Sequence, residues 1–390
     1  MPPGRPSGRA VLHQARELTE ILRGSTIPSG NGRTFCRGDT PLDDRTDMLK
    51  PSLGPAALGG WFLVLLVFLV GLIFACSMIG RNPVPFQWGW RIWAWGLWES
   101  PIWELRVFRL LAAGAVGTGL AVAGLALQGL MRNPLAEPYV LGISSGAGVG
   151  VLLGGTLGVV AHLGVWATPA LAVAGAVVTS AIVYGIAQRR GRLDPYVLLL
   201  AGVIVNIFNG ALILGILQFV KQEEMIHFIG WGMGQIPEWL WFKPGLLILC
   251  WGMVLFGWAV LFVRASAFNT LGLGDEVAAS SGVAVHWLRL ETFLIVSLMT
   301  SAAVALAGPV GFVGLIVPHV CRMIFGADHR RLTIICGFGG AFFLIIADTL
   351  CRLLGEAFHL GELPVGVITA MVGGPFFIVL LRRRMRGAMA

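Results

Sequence analysis

Ten stretches of the chain run for close to the length of a bilayer-crossing helix, nearly without charge: 57–79, 107–129, 140–158, 163–187, 196–219, 244–263, 288–307, 309–325, 332–352 and 364–381. A hydrocarbon core of about 30 Å takes roughly 20 residues of helix. Lipid admits only helices and closed barrels, because every backbone polar group must find its partner inside the protein. A barrel would need short segments of alternating polarity, and these stretches are continuous. The expected fold is therefore all-α, a polytopic membrane protein with about ten transmembrane helices. Hydrophobic residues make up 56% of the chain and charged residues 12%, against about 25% charged in a soluble domain, and mean hydropathy is +0.80. One soluble core could not hide that much apolar surface, which excludes a soluble enzyme, a disordered chain and a nucleic-acid-binding domain.

The net charge of +8 then reports topology, since basic residues accumulate in cytoplasmic loops. With the N-terminus inside, 21 of the 28 basic residues fall on inner segments and 7 on outer ones. Without residues 1–56 the balance is still 13 against 7. An even number of spans places the C-terminus inside as well. Only Lys50, Lys221 and Lys243 are lysines and none follows a glycine, so the Gly-Lys-Ser/Thr of a phosphate-binding loop is missing. Cys36, Cys76, Cys250, Cys321, Cys336 and Cys351 show no CxxC spacing and read as small buried hydrophobes.

Residues 1–56 are polar and mixed in charge, unlike all that follows. They read as a floppy tail or as an early start, with Met48 as the true first residue. Val11, Leu12, Ala15, Leu18, Ile21 and Leu22 would also suit a short amphipathic surface helix. Gly142, Gly146, Gly150 and Gly154 recur at every fourth position, and Gly117 and Ala121 repeat the spacing. Such stripes let backbones approach closely and are read as helix packing.

Three stretches carry more than span chemistry: LRVFRLLAAGAVGTGLAVAGLALQGLMRNPLAEPYVLGISSGAG over 105–148, LAGPVGFVGLIVPHVCRMIFGADHRR over 306–331, and ADTLCRLLGEAFHLGELPVGVITAMVGGPFFIVLL over 347–381. In order and spacing, from about residue 57 to the C-terminus, the chain resembles the ATP-binding cassette (ABC) importer permeases for ferric siderophores, haem and vitamin B12. The resemblance implies a ten-helix subunit of the vitamin B12 permease type that pairs with a second copy of itself. It further implies two copies of an ABC ATPase on the cytoplasmic face and a periplasmic or lipid-anchored binding protein outside, all in the bacterial inner membrane. ATP and Mg would sit on the ATPase, with no cofactor, metal or nucleic acid bound by this chain and no catalytic residue. The cargo would be a metal chelate, ferric siderophore first, then haem or cobalamin.

Arg106 and Arg109 share a helix face at the outer mouth of the second span. They suit either lipid headgroups or, as the resemblance implies, carboxylates of the binding protein. Arg352 matches a third docking arginine, although Asp348 and Glu356, four residues to either side, offer an intrahelical ion pair. Asn133-Pro134-Leu135 reads as a capped turn; the resemblance makes Asn133 and Leu135 a cytoplasmic gate. A second gate element would fall near Leu193-Asp194-Pro195-Tyr196, where small hydroxyl residues are usual in the family and this chain departs. The amphiphilic stretch 270–285 reads as a solvated loop, or by resemblance as two short coupling helices seated in the ATPase. Leu271, Gly272, Gly274, Asp275, Ala278 and Gly282 belong to it. Asn206 and Asn209 are candidates to face the pathway. His319 is read as a packing or hydrogen-bonding residue. Trp88, Trp90, Trp93, Trp95, Trp98 and Trp103 read as interfacial anchors, or as contacts for an aromatic siderophore. A secondary transporter would need paired acids at mid-membrane, and the spans offer almost none. A membrane scaffold that transports nothing would leave the coupling stretch unexplained.

Overall fold

The computed structural model describes residues 55–79, 101–158, 166–189, 192–237, 242–359 and 363–389, all within one compact unit, Asp47–Ala390. The amphipathic pattern at 11–22 and the tryptophans from 88 to 98 lie outside the described residues. In chain order the helices are α1 Pro55–Ser77, α2 Pro101–Met131, α3 Ile143–Thr156, α4 Ala167–Ala187, α5 Pro195–Leu217, α6 Gln222–Gly232 and α7 Pro244–Val263. There follow α8 Ala265–Gly272, α9 Asp275–Ser280, α10 Val285–Ala307, α11 Val313–Phe325, α12 His329–Ala357 and α13 Val365–Met389. A 3-10 turn, Pro138–Leu141, precedes α3. Among the described residues the only strands are β1 Gln188–Arg189 and β2 Arg192–Leu193, a two-residue antiparallel ladder between α4 and α5.

Each of the ten expected spans holds a helix, but they are unequal. Seven helices, α1, α2, α4, α5, α7, α10 and α12, are long and apolar enough to cross a membrane. The other three, α3, α11 and the apolar part of α13, Val365–Leu380, are shorter. At about 1.5 Å per residue α11 reaches only about 20 Å. Its missing length is the irregular segment Gly308–Phe312, in which Gly308 has φ 66° and Phe312 φ 68°. Likewise α3 begins late, after Gly142 turns left-handed at φ 77°. Non-helical backbone in a membrane protein is tolerable where protein surrounds it, and these breaks are packed inside the bundle.

The hub is α2, whose most apolar window is 94% buried, with α12, α10 and α11 packed around it. Small residues make this possible. A methyl group on Gly117 would overlap the Gly340 carbonyl of α12, and one on Gly340 the Gly117 carbonyl. Gly124 meets Gly314 of α11 in the same way. Along α3, Gly146 and Gly150 lie against Gly175 of α4. Gly117, Gly124, Gly146 and Gly150 thus sit at backbone contacts, whose close approach gains van der Waals contact where lipid supplies no hydrophobic drive.

Candidate functional sites

The three stretches that carry the family resemblance converge in space on the break Gly308–Phe312. From the first, Gln128 donates to the Gly314 carbonyl at 3.1 Å and accepts from Arg322 at 3.2 Å. Tyr139 Oη accepts the Val310 amide at 2.8 Å, and the Glu137 carboxylate accepts the Phe312 amide. From the third, a methyl on Gly366 would press on the Pro309 carbonyl and one on Gly373 would overlap the Phe312 ring, while the Gly366 amide donates to the Gly234 carbonyl at 3.0 Å. Side chains of the turn before α3 thus satisfy backbone amides of the break, as irregular chain away from water requires. Glu137 is a largely buried acid inside the first of these stretches, but nothing local in the sequence marks its partner, 175 residues away.

At the N-terminal end of α2 the three candidate docking arginines behave differently from one another. Arg109 does not stand at an open mouth: it is 4% exposed and donates through Nε to Asp348 of α12 at 3.0 Å. Arg352 also faces Asp348, at 3.3 Å, so the intrahelical pair weighed from the sequence is formed. Its remaining nitrogens go to the Ile79 carbonyl at 3.0 Å, the Thr349 hydroxyl at 3.1 Å and the Cys76 carbonyl at 3.5 Å. Arg106 is half-buried and donates to the Ser77 carbonyl at 3.2 Å. Arg106 and Arg352 together cap the last carbonyls of α1, where positive charge meets the negative end of the helix dipole. The cluster therefore clamps α1 onto α2 and α12.

At the opposite end the chain turns on local hydrogen bonds. The Asn133 side chain accepts the Leu135 amide at 3.1 Å, the capped turn expected of Asn-Pro, and Leu135 is half-buried. Asp194 caps α5 by accepting the Tyr196 amide at 2.9 Å and the Val197 amide at 3.3 Å, with Pro195 at the favoured first helical position. The coupling stretch does form two short helices, but the first, α8, starts at Ala265, five residues earlier than the sequence boundary. Gly274, at φ 133°, makes the corner between α8 and α9, and Gly282, at φ 85°, ends α9. Leu271 and Ala278 are fully buried against the bundle, while Gly272 is exposed. The exposed apolar pair is Leu273 and Val277, at 60% and 43%. The two lie on either side of the Gly274 corner, Leu273 at the end of α8 and Val277 within α9.

Asp275 accepts from Arg132 and, at 2.7 Å, from Arg289. Asn269 of α8 donates to Asp328 at 2.8 Å and accepts the His329 amide at 2.9 Å, and the His329 and Phe268 rings stack at 5.7 Å. Both short helices are thus fastened to the bundle, α8 at the α11–α12 turn and α9 at the ends of α2 and α10.

The asparagines of α5 serve packing. Asn206 donates to the Tyr139 carbonyl at 3.3 Å, and Asn209 to the Ser145 and Thr179 hydroxyls at 3.1 and 3.3 Å. Both face α3, its preceding turn or α4, whereas the open face of α5 presents Ile204, Ile207 and Phe208. An apolar recess of about 340 Å³ lies between α3 and α5, lined by Thr156, Ala211, Leu212, Gly215, Ile216 and Phe219. His319 sets its ring edge-on to Phe376 at 5.8 Å. Among the described residues no three of His, Cys, Asp and Glu cluster to hold a metal.

The polytopic helical bundle with a pair of short helices at one end is shared with ABC permeases, and the chain is such a transport subunit and not an enzyme. Residues 63–383 match the FecCD transport family, and the chain belongs to that family. An uncharacterised ABC transporter permease of Bacillus subtilis is 36% identical over 66% of this chain and 72% of its own length. The hemin transport system permease of Yersinia pestis is 36% identical over 65% of this chain and 75% of its own. The cobalamin import system permease of Halobacterium salinarum is 40% identical over 65% of each. A metal-chelate type ABC transporter in an inward-facing conformation superposes with a TM-score of 0.70 at 27% identity, covering 83% of this chain and 99% of that one.

Proposed function

We propose that this chain is the permease of an importer that carries a ferric siderophore across the bacterial inner membrane, with both termini cytoplasmic. It works as a homodimer on two ABC ATPases and receives cargo from a binding protein at the α2 N-terminal end. The observation that carries the reading is the α8–α9 pair: two short helices held rigidly to the bundle, with Leu273 and Val277 turned outward. A rigid element of this kind can be pushed as one body by a nucleotide-driven partner. The Asn133–Leu135 and Leu193–Tyr196 turns, at the same end, are the gate. The docking role falls to Arg106, because Arg109 and Arg352 are both held by the buried Asp348 carboxylate, which Arg106 does not share. Haem and cobalamin, carried by the relatives named above, are the competing cargoes.

The test is uptake by the assembled importer in liposomes, with ferric siderophore, haem and cobalamin offered separately and in competition. The proposal expects siderophore-bound iron to accumulate, with little competition from the other two. Preferential uptake of haem or cobalamin would reassign the cargo.

A further inference from the structure

We infer that Asp275 is the residue through which the α8–α9 pair moves both gate turns at once. The inference rests on reading that pair as the ATPase contact. One carboxylate oxygen of Asp275 holds Arg132 and the other holds Arg289 at 2.7 Å. Arg132 immediately precedes the Asn133–Leu135 turn. Arg289 continues to the second turn: its other terminal nitrogen reaches the Leu193 carbonyl at 3.5 Å, the outer limit of a hydrogen bond. A displacement of α9 therefore pulls on the end of α2 through Arg132 and on the start of α5 through Arg289.

Two further observations favour transmission over mere stability. Arg132 occupies the left-handed position that closes α2, at φ 47°, with the Asn133 amide bonded back to the Gln128 carbonyl at 3.2 Å. Helices usually end in this way on glycine, and α9 does so at Gly282, with Val283 bonded back to Ala278 at 2.9 Å. An arginine in that position accepts a conformation that disfavours a side chain, and what it gains is the reach to Asp275. The pair is also 41% and 46% exposed, and exposed ion pairs contribute little to stability. The Asn133 turn is stiffened by its own hydrogen bonds, Leu135 to the side chain and Ala136 to the carbonyl at 3.0 Å, so a movement of Arg132 carries the turn with it.

The experiment uses the complete importer in liposomes and reads uptake and ATP hydrolysis on the same vesicles. Asp275→Asn should lower cargo moved per ATP about fivefold, within the range of residues that carry coupling. Asp275→Glu, which keeps both oxygens and the charge, should restore most of the ratio, and Arg132→Gln should lower it less than Asp275→Asn. Should Asp275→Asn fail to assemble, the ratio for Arg132→Gln and Arg289→Gln decides. A ratio unchanged in the decisive variants, or a proportional fall in uptake and hydrolysis, overturns the inference. A separate arm tests the reading beneath it: Leu273→Arg and Val277→Arg should lose copurifying ATPase. If they retain it, α8–α9 is not the ATPase contact and the inference falls with that reading.

Discussion

Arg109 on α2 and Asp348 on α12, 239 residues apart in sequence, meet at 3.0 Å with side chains 5% and 1% exposed. Removing one partner of a buried ion pair strands the other charge and costs about 3–5 kcal/mol. Arg109→Met and Asp348→Asn should therefore each lower the thermal midpoint of the detergent-purified subunit sharply. Asp348→Asn should be the worse of the two, because it strands two arginines. Midpoints within a degree or two of the parent would contradict the clamp.

Docking separates the three arginines. Arg106→Glu should weaken association of the binding protein, and more so at low salt, because like charges placed across an interface can cost several kcal/mol. Arg109→Glu and Arg352→Glu should act first on folding. The measurement is a salt series of binding-protein pull-downs on variants shown to be folded. An Arg106→Glu variant with unchanged affinity and salt slope would return Arg106 to the simpler role of capping α1.

The crossing of α2 and α12 depends on bare backbone. Gly117→Val or Gly340→Val should prevent their contact, since the added atoms meet a carbonyl that a rotamer change cannot move, and overpacking costs about 1–3 kcal/mol or more. Gly155→Val is the control, because nothing lies within 4 Å of its position. Yield of monodisperse protein after detergent extraction reads the difference. Equal yields from Gly117→Val and Gly155→Val would overturn this account of the stripe.

Much of this architecture is legible in the sequence, because a bilayer-length apolar run with few charges has few folds open to it. The same clarity hides the breaks. Gly308–Phe312 is itself apolar, so although the sequence boundary at 307 matches the end of α10, only backbone geometry shows that α11 starts as late as Val313. The reverse holds for α6, which opens on Lys221, Gln222, Glu223 and Glu224 and so offers no apolar run to find. Site residues were visible as types and positions, and local partners such as Arg352 with Asp348 could be read from spacing, but distant partners could not. Arg109 and Asp348 carry no local mark of their pairing, and Asn206 and Asn209 gave no hint that they bind α3, its preceding turn and α4.

The break itself makes a prediction. Glu137→Ala leaves the Phe312 amide without its acceptor, and an unsatisfied buried donor costs about 1–3 kcal/mol. Glu137→Gln keeps an acceptor oxygen and should retain most of the stability. Thermal unfolding of the two variants beside the parent checks this; equal loss in both would mean that the charge, and not the hydrogen bond, holds the break.

The central claim, that this chain is the passive membrane part of an ATP-driven importer, is tested most directly by reconstitution. Purified alone into liposomes, the chain should accumulate no ferric siderophore, haem or cobalamin, whether or not a proton or sodium gradient is imposed. With its ATPase, its binding protein and Mg-ATP it should accumulate its cargo, and a hydrolysis-dead ATPase should abolish that uptake. Gradient-driven uptake by the chain alone would contradict the account.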